Sequence, residues 1–191
     1  LTVVNTVFDF RNEQKNPGKK WPLGIHHQSF PHIDLLLMDQ EEALKISGKG
    51  GAEEAAAYFQ ELGVGAFAIT RGSETVLIGS NGKHFSPEGL HKVPVSEKVV
   101  HELRQFPEKK GDTTGCGDNF AGGVLASLAW QLAQSRKTFS LREMISWGIA
   151  SGGYACFYVG GTFIEEYAGQ KRERIKPYVE DYQQRIQAVL P

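Results

Sequence analysis

The sequence predicts an α/β fold, a mainly parallel sheet flanked by helices in three layers, on three observations. Short β-rich runs alternate with helical patterns through the first half of the chain, the order that lays crossover helices on both faces of a parallel sheet. A glycine turn (Gly115, Cys116, Gly117) passes directly into residues whose apolar positions recur at helical spacing. The chain has 191 residues, 40% of them hydrophobic, enough for one sizeable core or slightly more. A single domain over 1–191 is the expectation.

Taken in order, residues 3–10 and 34–38 are β-rich, and 41–46 and 52–62 are helical. Residues 12–24, with Pro17, Gly18, Lys19 and Lys20, form a polar loop. Two further strands, 66–70 and 75–79, flank a turn at Arg71, Gly72 and Ser73, and 91–95 is a last strand. The helix that follows the glycine turn is expected from Asp118 onward, with Phe120, Val124, Leu125, Leu128 and Leu132 as its apolar positions. Residues 141–157 form a second buried helix rich in small side chains. The tail carries Ile175, Tyr178, Val179, Tyr182, Ile186 and Val189, an amphipathic stripe that docks on the body. Between the last strand and the glycine turn, the charged segment 96–110 is expected to be a surface flap. His26, His27 and His32 share a Pro-flanked polar loop without zinc-ligand spacing.

The run GDTTGCGDNFAGG, residues 111–123, carries the chemistry. Small residues let backbone N–H groups converge at a helix start, where the positive end of the dipole suits a phosphate or a developing oxyanion. Asp118 stands at the mouth of that anion site. A carboxylate there either caps the helix or serves as a general base while neighbouring amides hold a transferring phosphoryl group. Cys116 has two readings as well, a small residue that fits the turn or a thiol whose pKa the helix start lowers.

The run resembles the second signature of the ribokinase-like, PfkB-type carbohydrate kinases, D-T-T-G-[AC]-G-D-x-F-x-G-G. Asp112, Thr113, Thr114, Gly115, Cys116, Gly117, Asp118, Phe120, Gly122 and Gly123 occupy its positions. The resemblance implies that Asp118 is the catalytic base and that the amides of Gly115, Cys116 and Gly117 form the anion hole. It also places Asp112 and Thr114 at positions that face a monovalent cation, although Tyr158, Val159, Gly160 and Gly161 replace the family's arginine-containing cation loop. Two other segments carry parts of the same resemblance. Asp39 and Glu42 stand where such kinases have N-x-x-E for Mg²⁺ and phosphates; by itself D-x-x-E is a helix capping box. Thr70 and Gly72 match the nucleotide-side T-x-G-x-x-G turn, with Thr75 in place of the last glycine, and Ser151 lies on the helix that closes over adenine.

The resemblance implies an ATP- and Mg²⁺-dependent phosphotransferase acting on an alcohol of a sugar or sugar-like substrate. The alternatives are a non-catalytic nucleotide-binding fragment or degenerate kinase, and a nucleoside or vitamin kinase of the same fold. Such kinases are more than half again as long, and neither their sugar-binding Gly-Gly region nor their lid is matched. The chain therefore looks like a C-terminal, nucleotide-side portion, expected to be incomplete when expressed alone. A net charge of −1 argues against a nucleic-acid partner, and no apolar run approaches a membrane span of about 20 residues. Two cysteines provide no disulfide framework, and with no signal peptide recognised a cytoplasmic protein is expected. A homodimer is left open.

Overall fold

The computed structural model describes residues 1–24 and 27–189, with side chains as far as residue 187. His26 and the Val189 side chain lie outside the described residues. The chain falls into two compact units, Leu1–Val93 with Lys137–Leu141, and Pro94–Arg136 with Arg142–Pro191. Among the described residues no helix is long and apolar enough to cross a membrane.

The first unit holds β1 (Val3–Asn5), α1 (Phe10–Lys15), β2 (Leu35–Asp39), α2 (Gln40–Ser47), α3 (Ala52–Glu61), β3 (Ala66–Thr70), β4 (Thr75–Ser80) and β5 (Glu88–Pro94). The five strands lie in sheet order β1-β2-β3-β4-β5. β1, β2 and β3 are parallel, with Val3 opposite Leu35 and Leu35 opposite Ala66. β4 returns antiparallel to β3, with Ile69 opposite Leu77. Side chains alternate across each strand. Leu36, Met38, Phe67, Ile69 and Leu77 accordingly pack with Ala43, Ile46, Ala55, Ala56 and Phe59 of α2 and α3. Leu35, Leu37, Ala66, Ala68 and Ile78 are buried too, as a sheet covered on both faces requires.

Two expectations for this unit are corrected. The strand expected over 3–10 stops at Asn5, because Asp9 caps a helix instead, accepting from the Asn12 N–H at 2.8 Å. Phe8 is thereby turned edge-on to Trp21, with ring centroids 4.9 Å apart. Nor is 12–24 wholly loop, since α1 extends to Lys15. Glu13 holds this region in place. Lys45 Nζ at 2.8 Å, the Trp21 indole N–H at 3.0 Å and the Gly18 N–H at 3.2 Å converge on its carboxylate and hold its pKa down at about 2.

The second unit is helical, with α4 (Glu97–Gln105), α5 (Cys116–Ala133), α6 (Leu141–Tyr154) and α7 (Gln170–Val189). Small residues let α5 and α6 cross closely. A Cβ at Gly148 would meet the Val124 side chain at 2.6 Å, and one at Gly152 would meet the Phe120 Cβ at 3.2 Å. The tail docks as expected, with Ile175, Tyr178, Val179, Tyr182 and Ile186 buried. Val99, Ala150, Ile175, Tyr178 and Val179 form one apolar cluster.

That cluster overturns the expected flap. Residues 96–110 form α4, capped by the Ser96 hydroxyl, and a short 3₁₀ turn over Pro107–Lys109. The apolar face of α4 packs on α7 through Val99, and its charged face made the segment look solvated in sequence. Glu102 ties the contact, accepting from Tyr178 Oη and from Lys109 Nζ, both at 2.7 Å. Lys109 first and Tyr178 second lower the Glu102 pKa from 4.5. A carboxylate with a depressed folded-state pKa stabilises above its unfolded value, and that contribution is lost as the pH falls through the folded one. Thermal melts between pH 6 and pH 3 should therefore show a decline below about pH 4.5 that Glu102→Gln reduces, by at most about 1 kcal/mol at this partly solvated site. An unchanged pH profile in the variant would remove Glu102 from the α4–α7 contact.

Candidate active site

The helix of the glycine turn starts two residues earlier than expected. Gly115, not Asp118, is the N-cap of α5, and it takes a left-handed φ of +73°. A side chain there is strained by conformation and by space, because a Cβ would lie 2.5 Å from the Gly161 Cα. The first backbone bond of the helix runs from the Asn119 N–H to the Gly115 carbonyl at 2.8 Å, while the Cys116 N–H reaches back to Thr113 at 3.3 Å. The Gly117 and Asp118 N–H groups therefore belong to the first turn, which offers them no carbonyl partner. A Cβ on Gly117 would meet nothing within 4 Å, so the flank of this first turn is unobstructed.

Asp118 is the third residue of α5. It is exposed and does not cap the helix, and it lines a cavity of about 420 Å³ with Gly122, Gly123, Trp130, Trp147, Ser151 and Lys171. Two of the expected apolar positions of this helix, Leu125 and Leu132, are 42% and 49% exposed. The Gly122 and Gly123 side of α5 faces the cavity instead.

Around Asp118 the turn is fixed by residues that the sequence did not single out. Asn119, 6% exposed, donates to the carbonyls of Gly115 at 2.8 Å and Gly161 at 3.0 Å. Its Oδ1 accepts from the Tyr158 hydroxyl at 3.2 Å and from Lys171 Nζ. Desolvation lowers the Lys171 pKa, partly opposed by Glu165. Arg172 stacks on Trp130, with its guanidinium carbon 4.4 Å from the ring centroid.

Asp112 does not project freely. Its carboxylate accepts from the Thr114 N–H at 2.9 Å and from the Gly160 N–H at 3.3 and 3.2 Å, and these bonds, Thr114 first, lower its pKa. The Gly111 N–H donates to the Cys156 carbonyl at 2.8 Å and the Asp112 N–H to the Tyr158 carbonyl at 3.2 Å. The two thiols, Cys116 and Cys156, lie 3.6 Å apart. Their shared S–H···S contact, with burial, raises the Cys116 pKa. The same contact, helped by Lys110, lowers that of Cys156 to about 7.

In the first unit Asp39 and Thr70 are paired neighbours at the carboxyl ends of β2 and β3, where open α/β sheets bind ligands. Asp39 and Glu42 form a complete capping box on α2. The Glu42 N–H donates to Asp39 Oδ1 at 2.8 Å, and the Asp39 N–H donates to Glu42 Oε2 at 3.0 Å. The Thr6 hydroxyl adds a 2.5 Å bond to the same oxygen, so Glu42 is buried and engaged while Asp39 is exposed. Gly72 turns with φ +61°. Beside it Arg71 donates to Gln40 Oε1 at 2.7 Å and pairs with Glu74 at 3.0 Å. Among the described residues no group of three or more His, Cys, Asp or Glu is arranged to hold a metal.

Comparison with known proteins places this geometry in context. The model of the pfkB family carbohydrate kinases matches residues 5–166. An ATP-dependent 6-phosphofructokinase from Thermoanaerobacterium thermosaccharolyticum is 27% identical over 128 residues, 67% of this chain and 33% of that protein. An aminoimidazole riboside kinase from Salmonella enterica, solved with aminoimidazole riboside and an ATP analogue, superposes with a TM-score of 0.56 at 22% identity, over 80% of this chain and 44% of that one. A ribokinase from Thermotoga maritima superposes with a TM-score of 0.55 at 21% identity, over 82% of this chain and 46% of that one. The chain spans a third of the length of the curated relative it matches.

Proposed function

The chain belongs to the pfkB family of carbohydrate kinases, and from that premise we propose that it carries the phosphate-holding and base-bearing part of an ATP-dependent phosphotransferase. The acceptor is an alcohol group of a sugar or sugar-like molecule. One observation carries the reading most: Asp118 is an exposed carboxylate just past a left-handed glycine, on a first helical turn whose own N–H groups have no carbonyl partner within the helix and whose flank at Gly117 is unobstructed. Asp118 does not cap the helix, and its carboxylate is left exposed at the mouth of the turn.

In this reading the acceptor hydroxyl gives its proton to the Asp118 carboxylate as its oxygen bonds to the γ-phosphorus of ATP. The bond from that phosphorus to the bridging oxygen breaks and ADP leaves. The Gly117 and Asp118 N–H groups stabilise the charge on the equatorial oxygens, and the dipole of α5 adds to them. Gly115 and Asn119 hold those donors in place. Such transfer asks little of the protein beyond position and charge.

The nucleotide-side roles of Thr70, Gly72 and Ser151 are part of the same proposal, as is metal handling by Asp39 and Glu42. The donor set fits Mg²⁺ through Asp39, since this ion is held by one or two carboxylates together with phosphates. When bound, the ion neutralises phosphate charge. Glu42, held by Thr6 and the Asp39 N–H, orients Asp39. Glu42→Gln is expected to raise the Mg²⁺ concentration needed for half-maximal activity more than it changes sugar affinity. An unchanged Mg²⁺ titration would leave Glu42 a helix cap alone. A monovalent cation at Asp112 and Thr114 would have to compete with the Gly160 and Thr114 N–H groups.

The test is acceptor-dependent ADP release from Mg-ATP over hexoses, pentoses, sugar acids and nucleosides, in the protein that contains this chain. At least one alcohol should raise release well above the solvent background and appear as a phosphate ester. Binding of Mg-ATP with no acceptor effect across the panel would instead support the second reading, nucleotide binding without transfer.

A further inference from the structure

The chain contains two cysteines, forty positions apart in sequence, and the fold brings them together. Cys116 is the first residue of α5, beside the open amides, and Cys156 lies in the 3₁₀ turn Ala155–Phe157. Their sulfurs are 3.6 Å apart and both residues are half-buried. The segments that carry them are fixed side by side by the Gly111 N–H to Cys156 carbonyl and Asp112 N–H to Tyr158 carbonyl bonds. A disulfide has a sulfur–sulfur length of about 2.05 Å, so joining them requires an approach of about 1.5 Å between groups already in contact.

We propose that Cys116 and Cys156 form a reversible disulfide that distorts the start of α5 and closes the anion cradle. The oxidant is a low-molecular-weight disulfide. The Cys156 thiolate attacks one of its sulfurs, forming a mixed disulfide and releasing one small thiol. The Cys116 sulfur then displaces the second small thiol and closes the internal bond. The protein dithiol loses two electrons, the small disulfide is reduced to two thiols, and the two cysteine protons end on those thiols or in water. The second step is fast because the held segments give the Cys116 sulfur a high effective concentration.

The consequence for the cradle follows from its tight packing. The turn at Gly115 lies backbone against backbone with Gly161, close enough that a Cβ at Gly115 would sit 2.5 Å from the Gly161 Cα, so the turn has little room to move as a block toward that loop. The approach is therefore taken up by the two cysteines and the short segments that carry them, and at Cys116 it acts on the position that sets the direction of the next two amides. This part of the inference rests on the reading of those amides as phosphate donors; the formation of the bond does not.

The test equilibrates the full chain with oxidised glutathione, quenches it in acid, alkylates the remaining thiols and measures the mass. The expected result is joint loss of both thiols without a glutathione adduct, a peptide pair linking Cys116 to Cys156, and recovery of both thiols with dithiothreitol. Cys156→Ser should form no internal disulfide and should bind Mg-ATP as the reduced wild type does. A glutathione adduct that persists on the wild type, a disulfide between two copies, or two unmodified thiols at equilibrium would each overturn the proposal. In the linked protein Mg-ATP affinity should fall at least about tenfold, equivalent to one lost charge-assisted hydrogen bond, and return on reduction. An internal disulfide with unchanged affinity would overturn the effect on the cradle. If the reduced protein also fails to bind Mg-ATP, it is the kinase reading that falls, and the thiol count still decides the bond.

Discussion

Asp118→Asn is expected to lower kcat by about two to four decades while leaving Mg-ATP affinity nearly unchanged. The amide keeps the size of the carboxylate and remains third in α5, so the turn that ends at Gly115 is not disturbed. What it loses is the capacity to take the acceptor proton. The residual rate comes from positioning and from the amides, which the substitution leaves in place. Steady-state kinetics with the best acceptor, together with calorimetric titration of Mg-ATP, separate the two effects. A variant retaining a third or more of wild-type kcat would show that the proton goes elsewhere. Equal losses in kcat and in nucleotide affinity would mean that Asp118 positions the phosphates instead.

Gly115→Ala is the second large effect. The new methyl meets a left-handed φ of +73° and a Gly161 Cα at 2.5 Å. The conformation alone costs about 1–2 kcal/mol, and overpacking adds about 1–3 kcal/mol. For a chain of this length that is a fall in melting temperature of roughly 4–20 °C. Relief of the clash must move either Gly161, which accepts from Asn119 at 3.0 Å, or the turn itself. Either movement shifts the Gly117 and Asp118 amides, so nucleotide affinity should fall with stability. Gly117→Ala is the control. It stands two residues further on, with nothing within 4 Å of a Cβ there, so it should melt close to wild type. A Gly115→Ala protein with wild-type melting and affinity would contradict the role given to this glycine.

The sheet and most of its helices were legible because their signals are local. The strands at 35–39, 66–70 and 75–80 are apolar runs between turn residues, and the amphipathic stripe of α7 shows its period in sequence. Residues 3–10 misled because Val, Phe and Thr favour strands, while one capping carboxylate, Asp9, decided where the strand stops. Residues 96–110 misled in the opposite way. Half of the α4 surface is charged, and what makes it a packed helix is a surface on α7 some eighty residues later in the chain.

The residues proposed for the site were visible in sequence as a motif, but their local geometry was not. The run 111–123 drew attention to Asp118 and the glycines, yet it set the helix start at Asp118, since the left-handed cap at Gly115 depends on φ and not on residue type alone. Asn119 occupies the variable position of that run and nothing in sequence marks it, although it makes four of the bonds that hold the turn. Lys171 and Tyr158 are likewise brought to it only by the fold. Thr6, just past the end of β1, reaches Glu42, and no spacing could have revealed that bond. The pairing of Cys116 with Cys156 is of the same kind.

The most direct measurement of the central claim, that the first turn of α5 holds the phosphates of a nucleotide, is amide chemical-shift mapping of the ¹⁵N-labelled chain. Mg-ATP and adenosine are added in separate titrations. The predicted result is that the largest shifts with Mg-ATP fall on the amides of Gly115, Cys116, Gly117 and Asp118, and that adenosine leaves these four unmoved. Shifts of the same four amides with both ligands, or a Mg-ATP response that leaves residues 115–118 unchanged, would contradict it.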